Sequence, residues 1–518
     1  MKGATLSPIH VVYRAIFVRF QLLLIDALPF VATANLGALS TSVVLDHFKI
    51  SMLVGVVLWV VVWVVYDRFF SPLRNVPGPA LARLTRLWEC LLTSGRGPVV
   101  RIGPNRYIFN TPEAMKTIYA PGGGFRKSDW YSVGGDNLFS MRDEKRHATR
   151  RRKVAQLYTM STMVNYEGAV DEVNSLLTSK LDEMVKDEAS VRLPTWLQYY
   201  AFDVIGKITV DKTFDLLHQG RDTTGVLRLI RSGLNYQMMM GLFPELHPWV
   251  AKLTSLVPGK VSGFNMGQFL SKQISNFRAL ELDPKENPMS EVFVSKLSRL
   301  EREGKIDLES INDACGANVA AGSDTTAISL SSAFYYIYRQ EHVLQKLRAE
   351  IDEKANIGAI SDPITFHESQ GMPYLQATIK EILRVHPAVG QMLARTVPEN
   401  GVNLEGYHFP PKTQVGVNAW ALHYNSKVFD NPESFSPERW LSESEETGLQ
   451  AFSGLNFAFG SGSRVCIGKN VSLLEMHKLI PQVVRNYDIH FDGQQKSWTT
   501  DSGWFVWPLY QCRIARRK

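Results

Sequence analysis

Phe459-Gly460-Ser461-Gly462-Ser463-Arg464-Val465-Cys466-Ile467-Gly468 lies near the C-terminus and runs directly into residues 469–480, which contain no Gly or Pro and carry apolar residues at helical spacing. The stretch is a glycine-built loop that presents one cysteine at a helix start. Glycines at 460, 462 and 468 let the backbone pass close to something bulky and leave amide N–H groups free to point inward, while the helix adds its positive end. That setting favours a thiolate over a thiol. A phosphate-binding reading fails, because Gly460-x-Gly462 lacks a third glycine at dinucleotide spacing and no Gly-Lys-Ser/Thr is present. A zinc reading fails as well, since Cys90, Cys315 and Cys512 are isolated and no Cys-x-x-Cys occurs.

The loop resembles the haem-binding loop of the cytochrome P-450 monooxygenases, Phe-Gly-x-Gly-x-Arg-x-Cys-x-Gly, and matches it at every fixed position. The resemblance implies that Cys466 is the proximal thiolate on the iron of haem b, with Phe459, Gly460, Arg464 and Gly468 around the cofactor. Thiolate ligation pushes electron density toward O–O cleavage.

Other stretches stand in the order this family requires. Asp307 can cap a helix that continues without proline to about Arg339, and its middle reads Ala321-Gly322-Ser323-Asp324-Thr325-Thr326. Hydroxyls that bond back to carbonyls are expected to open the helical ladder there and admit water. The stretch is similar to the family's Ala/Gly-Gly-x-Asp/Glu-Thr-Thr pattern, which implies that Asp324 and Thr325 relay protons. Glu381-Ile382-Leu383-Arg384 places a carboxylate and a guanidinium on adjacent turns. With Pro437-Glu438-Arg439-Trp440 downstream it resembles the family's triad, in which Glu381, Arg384 and Arg439 lock the segment before the cysteine.

Basic residues crowd 142–153, where His147 and Arg151 lie four apart and share a helix face. Relatives use such a pair to hold a haem propionate, many with Trp where His147 stands, and the resemblance assigns the second propionate to Arg395. Residues 388–393 are then candidate pocket lining. Met238, Met239 and Met240 fall in the region the family uses as a mobile roof, and adjacent methionines are otherwise core or membrane-edge filling. Arg150 and Lys153 are expected to face an acidic electron donor.

Residues 50–66 carry no charge, enough for one helix to span a bilayer, with Trp63 and Tyr66 at interfacial positions. Arg68, Arg74, Arg83 and Arg86 come next and place the downstream body in the cytosol. Residues 1–49 are an apolar, membrane-associated segment. Residues 67–79, with Pro72 and Asn75-Val76-Pro77-Gly78-Pro79, read as a stiff hinge. Val99 to Ile102 and Arg106 to Phe109 flank Gly103-Pro104-Asn105 as a hairpin, and Thr111 caps a helix with Pro112 at its first position. The 80–98 segment is shorter than the family's first helix and the connection after it; either that helix is cut short or an exon has been lost.

Forty-five per cent apolar content supports a large core, and four cysteines without paired spacing give no disulfide framework. The charge of +7 does not resolve into a nucleic-acid footprint. The expected fold is mainly α with small β-sheets, the cytochrome P-450 fold over 80–518 behind a transmembrane helix. The resemblance implies a monooxygenase of the endoplasmic reticulum membrane, most like fungal microsomal members that decorate secondary metabolites. It would take electrons from NADPH through an NADPH-cytochrome reductase, with cytochrome b5 as a second donor, and act on a lipophilic small molecule. Two other readings are a haem-thiolate isomerase or dehydratase that uses no O2, which the Asp324-Thr325 pair argues against, and a silent haem sensor or membrane scaffold. Substrate-dependent NADPH consumption separates the three.

Overall fold

The computed structural model describes scattered positions between 51 and 65, then residues 66–83, 85–86, 97–255, 271–272, 274–277, 292–441, 454–493 and 498–518. The chain divides into two units, Met1–Phe69 and Phe70–Lys518. In the first, the described positions from 51 to 65 are helical, and Val54, Leu58, Val61 and Val62 are more than half exposed. Among the described residues no helix is long and apolar enough to cross a membrane; about half of the expected 50–66 span, all of 1–49 and most of 80–98 lie outside them.

The second unit carries, in chain order, β1 (Val99–Gly103), β2 (Arg106–Phe109), α1 (Pro112–Ile118), β3 (Arg126–Lys127), α2 (Glu144–Val154), α3 (Glu167–Asp187), α4 (Leu193–Val210), α5 (Val226–Gly241), α6 (His247–Ser255), α7 (Leu308–Arg339), α8 (Pro373–Val385), β4 (Arg395–Thr396), β5 (Gln414–Val417), α9 (Lys469–Asn486), β6 (Tyr487–Phe491), β7 (Thr499–Ser502), β8 (Val506–Leu509) and β9 (Cys512–Arg516). The expected hairpin forms, with Val99 opposite Phe109, and Thr111 accepts from the Ala114 N–H at the start of α1.

One five-stranded sheet has the order β1-β2-β5-β4-β3, with β2 and β5 parallel and the other pairs antiparallel. Pairing of β4 with both β3 and β5 fixes Arg395 opposite Lys127 and Val415. The proline-rich stretch packs onto this sheet: Leu73 and Val76 are buried, the Arg101 N–H donates to Pro77 O, and a Cβ at Gly78 would stand 2.7 Å from that of Arg101. From Phe70 onward it is part of the body.

α7 runs 32 residues, about 48 Å at helical rise, capped by Asp307 through the Ser310 N–H. It packs on α4, and Gly322 permits the approach, because a Cβ there would lie 3.2 Å from Ile205 Cδ1. On another side of α7 lies α9, the helix that begins after Cys466. Buried Lys478 of α9 reaches Glu167 (2.7 Å) and Asp171 (2.9 Å) of α3 and so ties the cysteine-bearing helix to the core.

Candidate active site

The loop before α9 takes the shape its glycines allow. Gly460 and Gly462 have φ of +71° and +67°, and a Cβ at Gly462 would stand 1.9 Å from Tyr119 O just past α1. Gly468 differs: φ is −82°, open to any residue, and a Cβ there would meet no protein atom within 4 Å. Among the described residues, neither backbone conformation nor a close contact calls for glycine at 468.

Cys466 is a free thiol, exposed to the space beside the loop, and its N–H donates to Phe459 O (2.9 Å). Phe459 is half-buried against the core, with Lys469 Nζ 5.7 Å from its ring centre. The fold corrects the expectation of a favoured thiolate. Burial within the molecule pushes the Cys466 pKa up, and the Gly468 and Lys469 N–H groups with the charges of Arg151 and Lys469 only partly offset it.

Beside the loop opens a cavity of about 410 Å³ lined by Tyr119, His147, Arg151, Arg395, Ser463 and Arg464, among others. Five basic side chains line it: His147, Arg151 and Arg152 of α2, Arg395 of β4 and Arg464 of the loop. His147 is buried, and burial with the charges of Arg464 and Arg151 pushes its pKa down to about 3, so the imidazole is neutral. Arg464 is pushed down to about 10 by burial and by Arg395; its Nη1 donates to Met141 O (2.9 Å) while its buried Nη2 has no hydrogen-bond partner among the described residues. Arg395 donates to Leu393 O and Ala394 O and lies 4.9 Å from the Tyr119 ring centre. Tyr119 Oη in turn donates to Leu393 O (2.7 Å) and accepts from the Val417 N–H (2.9 Å).

Such a surplus of positive charge, faced among the described residues by one lining carboxylate, that of Glu144, favours an anion. An iron porphyrin bearing carboxylates would supply that anion, with Arg464 Nη2 as a free donor to it and the Cys466 sulfur as the ligand type its iron takes.

Lys127 carries no motif and is absent from the expected site. Its ammonium donates to Phe139 O, lies 4.1 Å from the ring centres of Tyr131 and Phe139, and is pushed well down in pKa by burial and by Arg395 and Arg464.

Asp324 and Thr325 lie on α7, which is helical without a break, so the expected opening of the ladder is absent. The hydroxyls fit inside it: Ser323 Oγ donates to Val319 O (3.0 Å) and Thr325 Oγ1 to Ala321 O (2.8 Å). Asp324 is buried, accepts from Gln198 Nε2 of α4 (2.9 Å), and is pushed up to about 6 by burial. One turn on, Ile328 joins a buried cluster with Trp130, Met392 and Trp504, in which the two indoles stack at 4.6 Å. Val389 and Ala388 pack against it, which puts the 388–393 segment beside these aromatics. Met238 Sδ accepts from Gln391 Nε2 at 3.8 Å, whereas Met239 is exposed.

Glu381 and Arg384 of α8 are wholly buried. Glu381 accepts from Arg384 Nε and Nη2 (2.9 and 2.8 Å), Arg439 Nε (3.0 Å), Trp440 Nε1 (2.8 Å) and the Ser436 N–H (2.9 Å). Arg384 also donates to His423 O, Pro432 O and Ser434 O. Arg150, expected to face a partner, is instead engaged with Asp313 (3.3 Å) and Asp136 O (3.1 Å).

The family described as Cytochrome P450 matches residues 97–514. The chain belongs to that family and is a haem-thiolate monooxygenase. It is similar to a pisatin demethylase of Fusarium vanettenii, 41% identical over 90% of this chain and 94% of the relative. It is also similar to the cytochrome P450 monooxygenase cicH of Emericella nidulans (33%, covering 86% and 94%) and to gsfF of Penicillium aethiopicum (31%, covering 88% and 95%).

Proposed function

We propose that this monooxygenase carries out a tailoring step on a lipophilic secondary metabolite, a terpenoid, polyketide or alkaloid, inserting one oxygen atom of O2. The observation that carries the reading is the free Cys466 thiol on the loop that helps line a cavity whose cations outnumber its acids. Similarity to a protein named for demethylation makes an O- or N-methyl group one candidate point of attack.

Haem, when bound, supplies the oxidative chemistry. Cys466 is its protein ligand through sulfur. Arg464, Arg395 and Arg151 neutralise its carboxylates, and neutral His147 adds one N–H donor. Asp324, near its midpoint at about pH 6, can take up and release a proton at its carboxylate, Gln198 orients it, and the Thr325 hydroxyl lies on the same helix one residue away. Glu381, Arg384 and Arg439 hold the segment preceding the loop.

Electrons come from NADPH through a flavoprotein reductase, with cytochrome b5 as a second donor. The anchor at 50–66 keeps the body on the cytosolic face of the endoplasmic reticulum, a reading supported by the exposed valines and leucine at described positions of that stretch. The test is reconstitution of full-length protein with reductase and NADPH against a panel of lipophilic metabolites. Compound-dependent NADPH consumption with a product heavier by one oxygen, or short of a methyl group, supports the proposal; haem binding with no compound raising consumption overturns it.

A further inference from the structure

His423 joins the Glu381 cluster to the cysteine loop. It ends the short helix Ala419–His423 and is wholly buried. Its Nδ1 lies 2.8 Å from Arg384 O, and its Nε2 lies 2.8 Å from the backbone nitrogen of Phe457. A carbonyl oxygen only accepts and a backbone N–H only donates, so the partners fix the ring: Nδ1 carries the proton, Nε2 offers its lone pair, and the imidazole is neutral. Burial and the Arg384 charge act in the same direction on this ring.

From Phe457 the connection runs on through backbone. Phe457 O accepts from the Gly460 N–H, and Phe459 O accepts from the Cys466 N–H, each at 2.9 Å. At the other end, Arg384 is bound twice to Glu381, which also holds Arg439 and Trp440. Among the described residues, the hydrogen-bonded path from the buried ion pair to the cysteine backbone passes through this imidazole. Asn456 adds a longer bond to Lys380 O (3.3 Å).

We propose that His423 is the positioning residue that transmits the rigidity of the Glu381–Arg384–Arg439 cluster to the loop and so holds Cys466 in register with the cofactor. The inference rests on Cys466 being the iron ligand, which the native protein's red-shifted ferrous-carbonyl band tests before any variant is made.

Three variants separate the two bonds. His423→Gln brings an amide oxygen to roughly the Nε2 position and keeps an acceptor for the Phe457 N–H. His423→Asn reaches only the Nδ1 position and keeps the donor to Arg384 O, and His423→Phe keeps neither. The readout is the rate at which the red-shifted band decays to the unshifted form, with the thermal midpoint measured in parallel. The Asn and Phe variants should decay roughly tenfold faster than native, the rate equivalent of one buried hydrogen bond, while the Gln variant stays within about threefold at a thermal midpoint matched to that of the Asn variant.

Native decay in His423→Asn, or decay that tracks the thermal midpoint in all three with no split between Asn and Gln, overturns the proposal. Should the variants fail to take up haem, amide exchange in the native protein decides. The Phe457 N–H should exchange only as slowly as global unfolding allows, and fast exchange there refutes the bridge.

Discussion

Gln198 and Asp324 are 126 residues apart in the chain and 2.9 Å apart in space, the Gln198 amide donating to the Asp324 carboxylate. This bond is the polar contact that moderates a carboxyl which burial has pushed up from 3.8 to about 6. Gln198→Leu should therefore raise the Asp324 pKa further and protonate it at neutral pH. The acid limb of the pH–rate profile, measured with reductase in excess, should move up by about one unit. An unmoved limb would show that Asp324 does not govern it.

The same carboxyl has a signature in stability. Its folded pKa lies above the unfolded value, so the folded state binds the proton more tightly, and this group's contribution falls as pH rises from about 4 to 6 and stays low above that. The cost at neutral pH is up to about 3 kcal/mol. Asp324→Asn keeps an acceptor for Gln198 and removes the step. Between about pH 4 and 6 the native thermal midpoint should drop relative to that of the variant, with the two curves parallel above that; curves parallel across the whole range would refute a raised pKa.

Glu381 accepts five hydrogen bonds and balances two guanidinium groups with no access to water. Glu381→Gln leaves buried Arg384 without a counter-charge, and breaking such a pair costs roughly 3 to 5 kcal/mol. The expected result is low haem content and a lowered thermal midpoint together. Full haem content at native stability would be incompatible with this buried geometry.

Arg464 and Arg395 repel one another within a cavity that nearly lacks acids. Arg464→Met should raise the stability of the haem-free protein by relieving that crowding, yet speed haem transfer to an acceptor roughly tenfold or more by removing a charge-assisted hydrogen bond. The opposite signs identify the cavity as one built for an anion. A variant less stable without haem, or one with unchanged transfer, removes that identification.

Local spacing made several of these features legible in the sequence. The cap at Asp307, the i,i+3 placement of Glu381 and Arg384, the hairpin at 99–109 and the positive φ of Gly460 and Gly462 each depend on a few neighbouring residues. Gln198, His423, Tyr119 and Lys127 were not legible, because each acts through a partner set by the packing of helices and strands distant in sequence, and none carries a motif. The Cys466 thiol shows the limit of motif reasoning: loop and helix start supply the expected N–H donors, but the desolvation that outweighs them is a property of the whole fold. The side chains of α2 make the same point, since Arg150 looks like a free basic residue until Asp313 is brought to it.

The division at Phe69 and Phe70 sets where a truncation should fall. Leu73, Val76 and Pro77 pack on the first sheet, so a deletion reaching 79 would strip the body and one ending at 69 would not. Removal of 1–69 should release protein from membranes with the ferrous-carbonyl band intact. Removal of 1–79 should lower the thermal midpoint through loss of the Arg101 contacts to Leu73 O and Pro77 O. Equal behaviour of the two truncations would contradict the packing described for 70–79.

On the basic helix α2, His147 and Arg151 face the cavity, Arg146 and Arg150 are bound to Asp136 and Asp313, and Lys145 and Lys153 remain exposed. At 100° per residue both lysines point well away from the cavity-lining pair. Were the proposed electron-delivering partner to dock over this surface, complementary charge would speed the encounter more than it tightened the complex. Lys145→Glu with Lys153→Glu should slow reduction by an acidic flavoprotein reductase several-fold at low ionic strength. The defect should shrink at high salt, where exposed charges are screened over about 8 Å or less. Haem content and thermal midpoint should stay native, since neither lysine joins the cavity or the core. Reduction that keeps its native rate and salt dependence in the double variant would assign electron entry to another face.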